Sequence, residues 1–192
     1  MKYEFKKGKW QEEDFVYVYG LAVTEYKTFI QDKDCIRNGE CTSNSWGYDY
    51  VSMITKKKYT SGVKFSTKCD FKKYGAPLLV LTDDTFTDEK GVLRYGLHFE
   101  VVAWEEGCNV WSVRPSGNKD NPVEVALLAE PKFPVANGSL VELSVEVVGK
   151  KLKITMNGQY FEVEHPELPE YFHVGLTACE DSNRFYDFII KE

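Results

Sequence analysis

Apolar and polar residues alternate along most of this 192-residue chain. The stretch RYGLHFEVVAW, residues 94–104, has apolar residues at every odd position, whereas its even positions include a cation, an imidazole, a carboxylate and an indole. A period of two is typical of a β-strand with two different faces. Similar segments predict further strands at 15–19, 50–55, 62–69, 77–82, 108–114, 123–129, 140–148, 152–156, 160–163, 172–178 and 185–190.

Turn signals separate these segments. Glu105-Glu106-Gly107 predicts a hairpin between residues 94–104 and 108–114, and Asn157-Gly158 is a strong two-residue hairpin signal. No segment keeps a helical period, and only residues 127–129 could form a helical turn. Short strands at regular spacing predict an all-β sandwich or barrel, and the even composition predicts one domain over residues 1–192.

Composition and charge exclude several classes of partner. The net charge of −6 makes nucleic acid an improbable ligand, because phosphate binding needs a basic face. No apolar run approaches a membrane span. The opening MKYEFKKGKW lacks the apolar segment of a secretory signal, so we expect a cytoplasmic protein. The five cysteines form no CxxC pair, so no zinc site is predicted.

The last third of the chain carries a recognisable order of strands. A hairpin, KLKITMNGQYFEV, is followed by YFHVGLTACEDSNRFYDFIIKE. With the block APLLVLTDD and YGLHFEVVAWEEGCNVW, this order resembles the concanavalin A-like lectin/glucanase jelly rolls, in an uncharacterised bacterial branch related to laminarinases. The resemblance implies two curved antiparallel sheets, the concave one forming a cleft that holds carbohydrate. The E-x-D-x-x-E motif of laminarinases is absent from this sequence.

The polar face of residues 94–104 is the first candidate for the binding face. Arg94, Gly96, His98, Glu100 and Trp104 share it if the whole stretch is one strand. Indoles stack on sugars, charged groups hydrogen-bond to hydroxyls, and a glycine lets a ligand approach the sheet. Glu100 could be a sugar ligand or an acid/base with His98 beside it, or it could simply pair with an arginine such as Arg94 or Arg114.

The 108–114 strand allows two orientations. Asn109 and Trp111 lie on one face, and Val110 and Arg114 lie on the other. If Val110 is in the core, then Asn109 and Trp111 face the cleft, whereas a core Trp111 would turn Arg114 outward. Both orientations stay open, and all three polar or aromatic residues are ligand-binding candidates.

Two further residues are candidates from their positions. His173 shares a face with Gly175, so the 172–178 strand could lie in the same cleft as residues 94–104. Trp46 lies in the polar, turn-rich segment 31–49, which could form a lid at the edge of the sandwich.

An ion site is conceivable near the C-terminal end. Glu180-Asp181-Ser182-Asn183-Arg184 and Asp187 could bind a structural calcium ion, although a simple polar turn is the more ordinary reading. No other cofactor or catalytic metal is expected.

Three functions follow, in order of preference. The first is a carbohydrate-binding, lectin-like domain that uses the concave sheet. The second is a glycoside hydrolase or related sugar-active enzyme, with Glu100 as acid/base and a second carboxyl from Glu180, Glu105 or a loop. The third is a structural or oligomerising sandwich without a small ligand.

Overall fold

The computed structural model describes residues 1–39 and 50–192. Its elements are almost all strands, and the one helical element of these residues is a 3-10 turn at Glu12–Asp14. In chain order the strands are β1 (Lys2–Glu4), β2 (Phe15–Tyr17), β3 (Ile30–Gln31), β4 (Ile36–Arg37), β5 (Val51–Thr55), β6 (Tyr59–Thr60), β7 (Lys64–Lys72), β8 (Ala76–Thr82), β9 (Thr85–Thr87), β10 (Leu93–Tyr95), β11 (His98–Trp104), β12 (Gly107–Pro115), β13 (Val123–Ala129), β14 (Val141–Val148), β15 (Lys151–Met156), β16 (Gln159–Glu164), β17 (Tyr171–Cys179), β18 (Ser182–Phe185) and β19 (Asp187–Lys191).

Two large antiparallel sheets make up the molecule. The front sheet runs β13-β12-β11-β8-β17-β5-β2, with β6 paired to β17. The back sheet runs β16-β15-β14-β7-β18-β4-β3, with β19 paired to β7 and to β1. A separate ribbon joins β9 and β10. The predicted all-β sandwich is confirmed.

The core lies between the two sheets because each strand turns its apolar set inward. Leu79 and Phe99 of the front sheet meet Phe65, Val145 and their neighbours of the back sheet in one buried cluster. Fully burying such a side chain stabilises the fold by about 1.5–3 kcal/mol. The opposite phase of each front strand is therefore left to face outward.

Both predicted hairpins are confirmed. Trp104 pairs with Gly107 across the β11–β12 turn, and Met156 pairs with Gln159 across the β15–β16 turn. Asn157 and Gly158 both have positive φ, 49° and 82°, as the favoured two-residue turn requires.

The prediction of one strand over residues 94–104 is wrong. The chain breaks at Gly96 and Leu97, whose amides donate to the backbone and side-chain oxygens of Asp84, each at 2.9 Å. Those amides are therefore not available to a neighbouring strand. The break also changes the phase, so Tyr95 and His98 lie on the same face and stack with ring centroids 4.4 Å apart.

Other boundaries differ from the predictions. Residues 127–129 belong to β13 and are not helical, and the predicted 185–190 strand is divided between β18 and β19. The very short strands β1, β3, β4, β6 and β9 were not predicted, since two or three residues show no period. No helix in the described ranges has the length and apolarity needed to cross a membrane.

Candidate functional site

An open cleft of about 520 Å³ lies on the outward face of the front sheet. Its floor comes from β8, β11 and β12, and its ends come from the β7–β8 turn and the segment after β17. The lining residues are Lys73, Tyr74, Gly75, Ala76, Leu78, Glu100, Val102, Trp104, Glu105, Asn109, Trp111, Val113, Val125, Cys179 and Glu180.

Two indoles form one wall of the cleft. Val110 and Ser112 are buried toward the core, so Trp111 faces the cleft, which settles the orientation that the sequence left open. Trp104 donates from Nε1 to Oδ1 of Asn109 at 3.1 Å. This bond fixes the tilt of the indole and occupies the Asn109 oxygen. Both indoles are only half-buried, which leaves ring surface for a ligand.

Glu100 stands beside this wall. The β-register places it directly opposite Trp111, and its side chain is 15% exposed. Its partner is neither of the arginines considered from the sequence but His98, whose Nε2 lies 3.3 Å from Oε1 of Glu100. His98 is 3% exposed and its Nδ1 is 3.0 Å from the Gly96 carbonyl oxygen. His98 therefore positions Glu100 from the adjacent place on the same face of β11 and does not itself line the cleft.

Several buried hydroxyl groups lie close to His98. Tyr95 and Ser52 share a hydrogen bond of 2.7 Å, and Ser52 and Thr177 share another of 2.5 Å. Nearby, the hydroxyl of Tyr50 is buried without a hydrogen-bond partner among the described residues. Burial and then the charge of Glu100 raise the pKa of Tyr50 well above its usual value. Sequence reasoning missed these residues, although Ser52 and Thr177 stand on the polar phase of their strands.

Glu180 reaches the cleft from a strained turn. Its φ is 61°, in the left-handed region that non-glycine residues rarely adopt. Its carbonyl accepts hydrogen bonds from Nδ2 of Asn38 at 2.9 Å and Nδ2 of Asn183 at 3.0 Å. Both amides are buried, and the Asn183 amide N–H donates to Oδ1 of Asn38 at 2.8 Å. These bonds hold the strained backbone, which carries the Glu180 side chain into the cleft.

The Glu180 carboxyl should make folding pH-dependent. Burial, and then the charge of Asp181, raises its pKa. The folded protein therefore keeps this stability while the carboxyl is protonated, fully so below the unfolded-chain pKa of about 4.3. The stability is lost as the pH rises through the higher pKa that the carboxyl has in the folded state. We expect Glu180→Gln, which cannot ionise, to gain stability relative to the wild type as the pH rises above about 4. The gain should be small, because the group is only half-buried and water screens its charge.

Thermal unfolding at several pH values measures this effect. The same substitution at the exposed Glu105 is the matched control. A relative stability of Glu180→Gln that does not change with pH would contradict the burial of this carboxyl.

Arg94 does not lie in the cleft, contrary to the prediction. It is 5% exposed and its Nε donates to Oδ2 of Asp88 at 2.7 Å. Its other nitrogens donate to the carbonyls of Gly20 and Val23 and to the hydroxyl of Tyr26. The guanidinium thus ties the β9–β10 ribbon to the segment after β2, and its donors are directed at the protein itself.

Arg94→Met should therefore act on stability. The main-chain carbonyls that it satisfies would lose their partner, at a cost of about 2 kcal/mol. We expect the melting temperature to fall by about 4–8 °C, measured by circular dichroism. Arg114→Met is the control, because Arg114 makes only an exposed pair with Glu167 and its loss should change little. Equal effects of the two substitutions would overturn this role for Arg94.

Arg114 and His173, which were also predicted to bind the ligand, do not line the cleft. Arg114 forms its bidentate pair with Glu167 and does not line the cleft. His173 is half-buried and its Nδ1 lies 2.7 Å from the Thr55 carbonyl oxygen. It shares the outward face with Glu100, but β8 separates their strands and the cleft does not reach it. Burial lowers the pKa of His173. Trp46 lies outside the described residues.

The two glycines do not make room for a ligand, contrary to the prediction. A Cβ at Gly96 would lie 1.8 Å from Oδ2 of Asp84, and one at Gly175 would lie 2.0 Å from the carbonyl oxygen of Met53. In each case the glycine accommodates an atom of this chain. Both glycines therefore serve the packing of the fold.

No cluster of three or more histidine, cysteine, aspartate or glutamate side chains within residues 1–39 and 50–192 could hold a metal ion. Ser182–Phe185 forms β18 and is not a free turn. The Asp187 Oδ1 accepts a hydrogen bond from the Lys68 amide at 2.7 Å. The structural calcium ion stays a prediction.

Comparison with solved structures identifies the fold. The carbohydrate-binding module CBM66 from Bacillus subtilis superposes with a TM-score of 0.65 at 12% identity, over 93% of this chain and 96% of that chain. A glycoside hydrolase family 16 endo-glucanase from Bacteroides ovatus gives 0.62 at 11% identity, over 100% and 99%. β-Agarase A from Zobellia galactanivorans gives 0.63 at 8% identity, over 99% and 89%. No protein-family model and no curated protein matches the sequence.

These structures are concanavalin A-like jelly rolls, and this chain has the same fold. The predicted fold class is thus confirmed. At identities this low the likeness defines the architecture, and function has to be argued from the cleft itself.

Proposed function

We propose that this protein is a carbohydrate-binding, lectin-like domain that holds an oligosaccharide in the cleft of its front sheet. The observation that carries the proposal is the pair of partly exposed indoles, Trp104 and Trp111, beside the carboxylate of Glu100 in an open cleft. Aromatic faces stack on the apolar face of a sugar ring, and a few fixed polar groups select its hydroxyls. The solved structures of similar fold, a carbohydrate-binding module among them, support this choice.

The geometry also suits an extended ligand. The cleft is open along its length and runs from Val125 on the edge strand β13 to Glu180 at the opposite end. The Trp104 indole is held by Asn109, and Lys132 lies 4.9 Å from its ring centroid. A wall of prearranged groups costs less ordering on binding than a mobile one.

Calorimetric titration with a panel of neutral, amino and acidic oligosaccharides tests the proposal. We expect at least one oligosaccharide to bind to the wild type in the micromolar to millimolar range, which corresponds to about −4 to −8 kcal/mol. Absence of binding across the whole panel would refute the proposal and favour a structural sandwich.

Glycoside hydrolysis is the second candidate, supported by one observation. Two carboxyls, Glu100 and Glu180, line the same cleft, and burial raises the pKa of Glu180. Hydrolysis requires two carboxyls in different environments, one of which keeps its proton to act as the acid. Glu180 would be that acid and Glu100 the second group.

Release of reducing ends from bound oligosaccharides separates the two candidates. An enzyme would lose turnover by about a hundredfold or more in Glu180→Gln while its affinity stayed within a few-fold. Binding without any release of reducing ends in the wild type would leave the lectin-like function alone.

A further inference from the structure

The carboxylates of the cleft have no lysine or arginine partner in the described part of the chain. Glu100, Glu105 and Glu180 all line it, and within the described residues no lysine or arginine nitrogen lies within 4.0 Å of their oxygens. Among the described residues, the one side chain that pairs with any of them is His98, on Glu100. The cleft therefore contains three acidic side chains whose charge the protein does not neutralise with a lysine or arginine.

The cations nearby are committed to other carboxylates. Lys132 is shared between Glu106 at 2.9 Å and Glu130 at 3.1 Å, both outside the cleft lining. Lys73, the single lysine that lines the cleft, lies 3.9 Å from Asp181, and its side chain is 73% exposed. The lysines near the cleft therefore pair with carboxylates around it and not with the three glutamates that line it.

The backbone is strained at two of the residues that line the cleft. Outside the hairpin residue Asn157, the described residues include two non-glycine positions with positive φ, Lys73 and Glu180, and both line the cleft. Strain of this kind persists where the surrounding structure imposes it, as Asn38 and Asn183 do here, and it is concentrated at functional sites.

A buried tyrosine hydroxyl lies near one end of the cleft. The Tyr50 side chain is 9% exposed, and its hydroxyl has no hydrogen-bond partner in the described part of the chain. Tyr50 directly precedes β5, the strand beside β17, whose last residue Cys179 lines the cleft, and the Glu100 charge acts on it.

We propose that the ligand is an oligosaccharide that carries free, protonated amino groups, and that Glu100 and Glu180 select the amine. An ammonium group would give these carboxylates a counter-charge, and it would be attracted to the face of Trp111, since Lys132 already lies over the ring of Trp104. A uronic acid or a sulfated sugar would meet like charge. This inference rests on the proposed carbohydrate-binding function and names the class of sugar.

The test uses three probes that differ at a single substituent. They are the β-1,4-linked tetramers of glucosamine, of N-acetylglucosamine and of glucose, titrated into the wild-type protein by calorimetry. We expect the glucosamine tetramer to bind at least about tenfold more tightly than both others, which is about 1.4 kcal/mol. The preference should disappear in Glu100→Gln and in Glu180→Gln.

The control variant is Glu146→Gln. Glu146 is on β14, on the outward face of the back sheet, so its loss changes the net charge equally without touching the cleft. The preference should survive in this variant. Glu105→Gln, at an exposed turn, provides a third cleft variant whose folding does not depend on a buried group.

The outcomes separate this inference from the proposed function. Equal or tighter binding of the glucose or N-acetylglucosamine tetramer would overturn the amine preference and leave carbohydrate binding standing. A preference for the amine that falls equally in Glu146→Gln would show attraction to the net negative charge and would also overturn it. Failure of every oligosaccharide to bind would refute the proposed function itself.

Discussion

Replacing Trp111 with alanine should weaken oligosaccharide binding by at least about tenfold, and by up to about a hundredfold. Trp111 lies opposite Glu100 in the β-register and faces the cleft with a partly exposed ring. Alanine would remove the stacking surface beside Glu100. The fold should survive, because Trp111 packs on the outer cluster around Leu78 and Val102 and not in the core between the sheets.

Calorimetric titration of the variant, with the best ligand of the wild type, measures the loss. Trp111→Phe keeps an aromatic face and should retain part of the affinity. Tyr160→Ala is the matched control, since Tyr160 is an exposed aromatic residue on β16 of the back sheet. Undiminished binding in Trp111→Ala, or an equal loss in Tyr160→Ala, would show that the ligand does not bind in this cleft.

Gly175→Ala should destabilise the protein by about 3 kcal/mol. An added Cβ would lie 2.0 Å from the Met53 carbonyl oxygen and 2.8 Å from the Cα of Ile54. Both are backbone atoms of β5, so the clash cannot be relieved by a side-chain rotation. The pairing of β5 with β17 would have to open, and we expect the melting temperature to fall by about 6–12 °C.

Gly20→Ala is the control for this substitution. Its nearest neighbour would be the Val23 Cγ2 at 3.9 Å, which is ordinary contact, and its φ is not in the left-handed region. Thermal unfolding of both variants decides between two roles for Gly175. A stable Gly175→Ala variant that has lost ligand affinity would restore the reading of this glycine as part of a binding surface.

Alternation predicted the site well within a single strand. Glu100 and Trp104 fall on the same face of β11, and both line the cleft as expected. The same alternation gave a wrong position for Arg94, because residues two apart share a face only while the strand continues. Asp84 captures the amides of Gly96 and Leu97 and ends the strand there. A capture of this kind is a tertiary contact, which the period of the sequence does not contain.

The placement of Glu180 depends on contacts still more distant in sequence. Asn38, which fixes its carbonyl, lies 142 residues away along the chain. The sequence presented Glu180 only as one of several acids that could meet Glu100. Likewise, Trp111 had two possible orientations until the burial of Val110 chose between them. Fold class could be predicted from turns and periods, whereas the cleft required the pairing of strands.

The most direct measurement of the central claim is the indole N–H spectrum of ¹⁵N-labelled protein during titration with the tightest-binding oligosaccharide. Signals are assigned with single Trp→Phe variants. Trp104 and Trp111 should shift with the ligand, whereas Trp10, whose Nε1 donates to Gln31 at 2.6 Å and which does not line the cleft, should stay unchanged. Binding that leaves Trp104 and Trp111 unmoved would contradict the assignment of the cleft as the carbohydrate site.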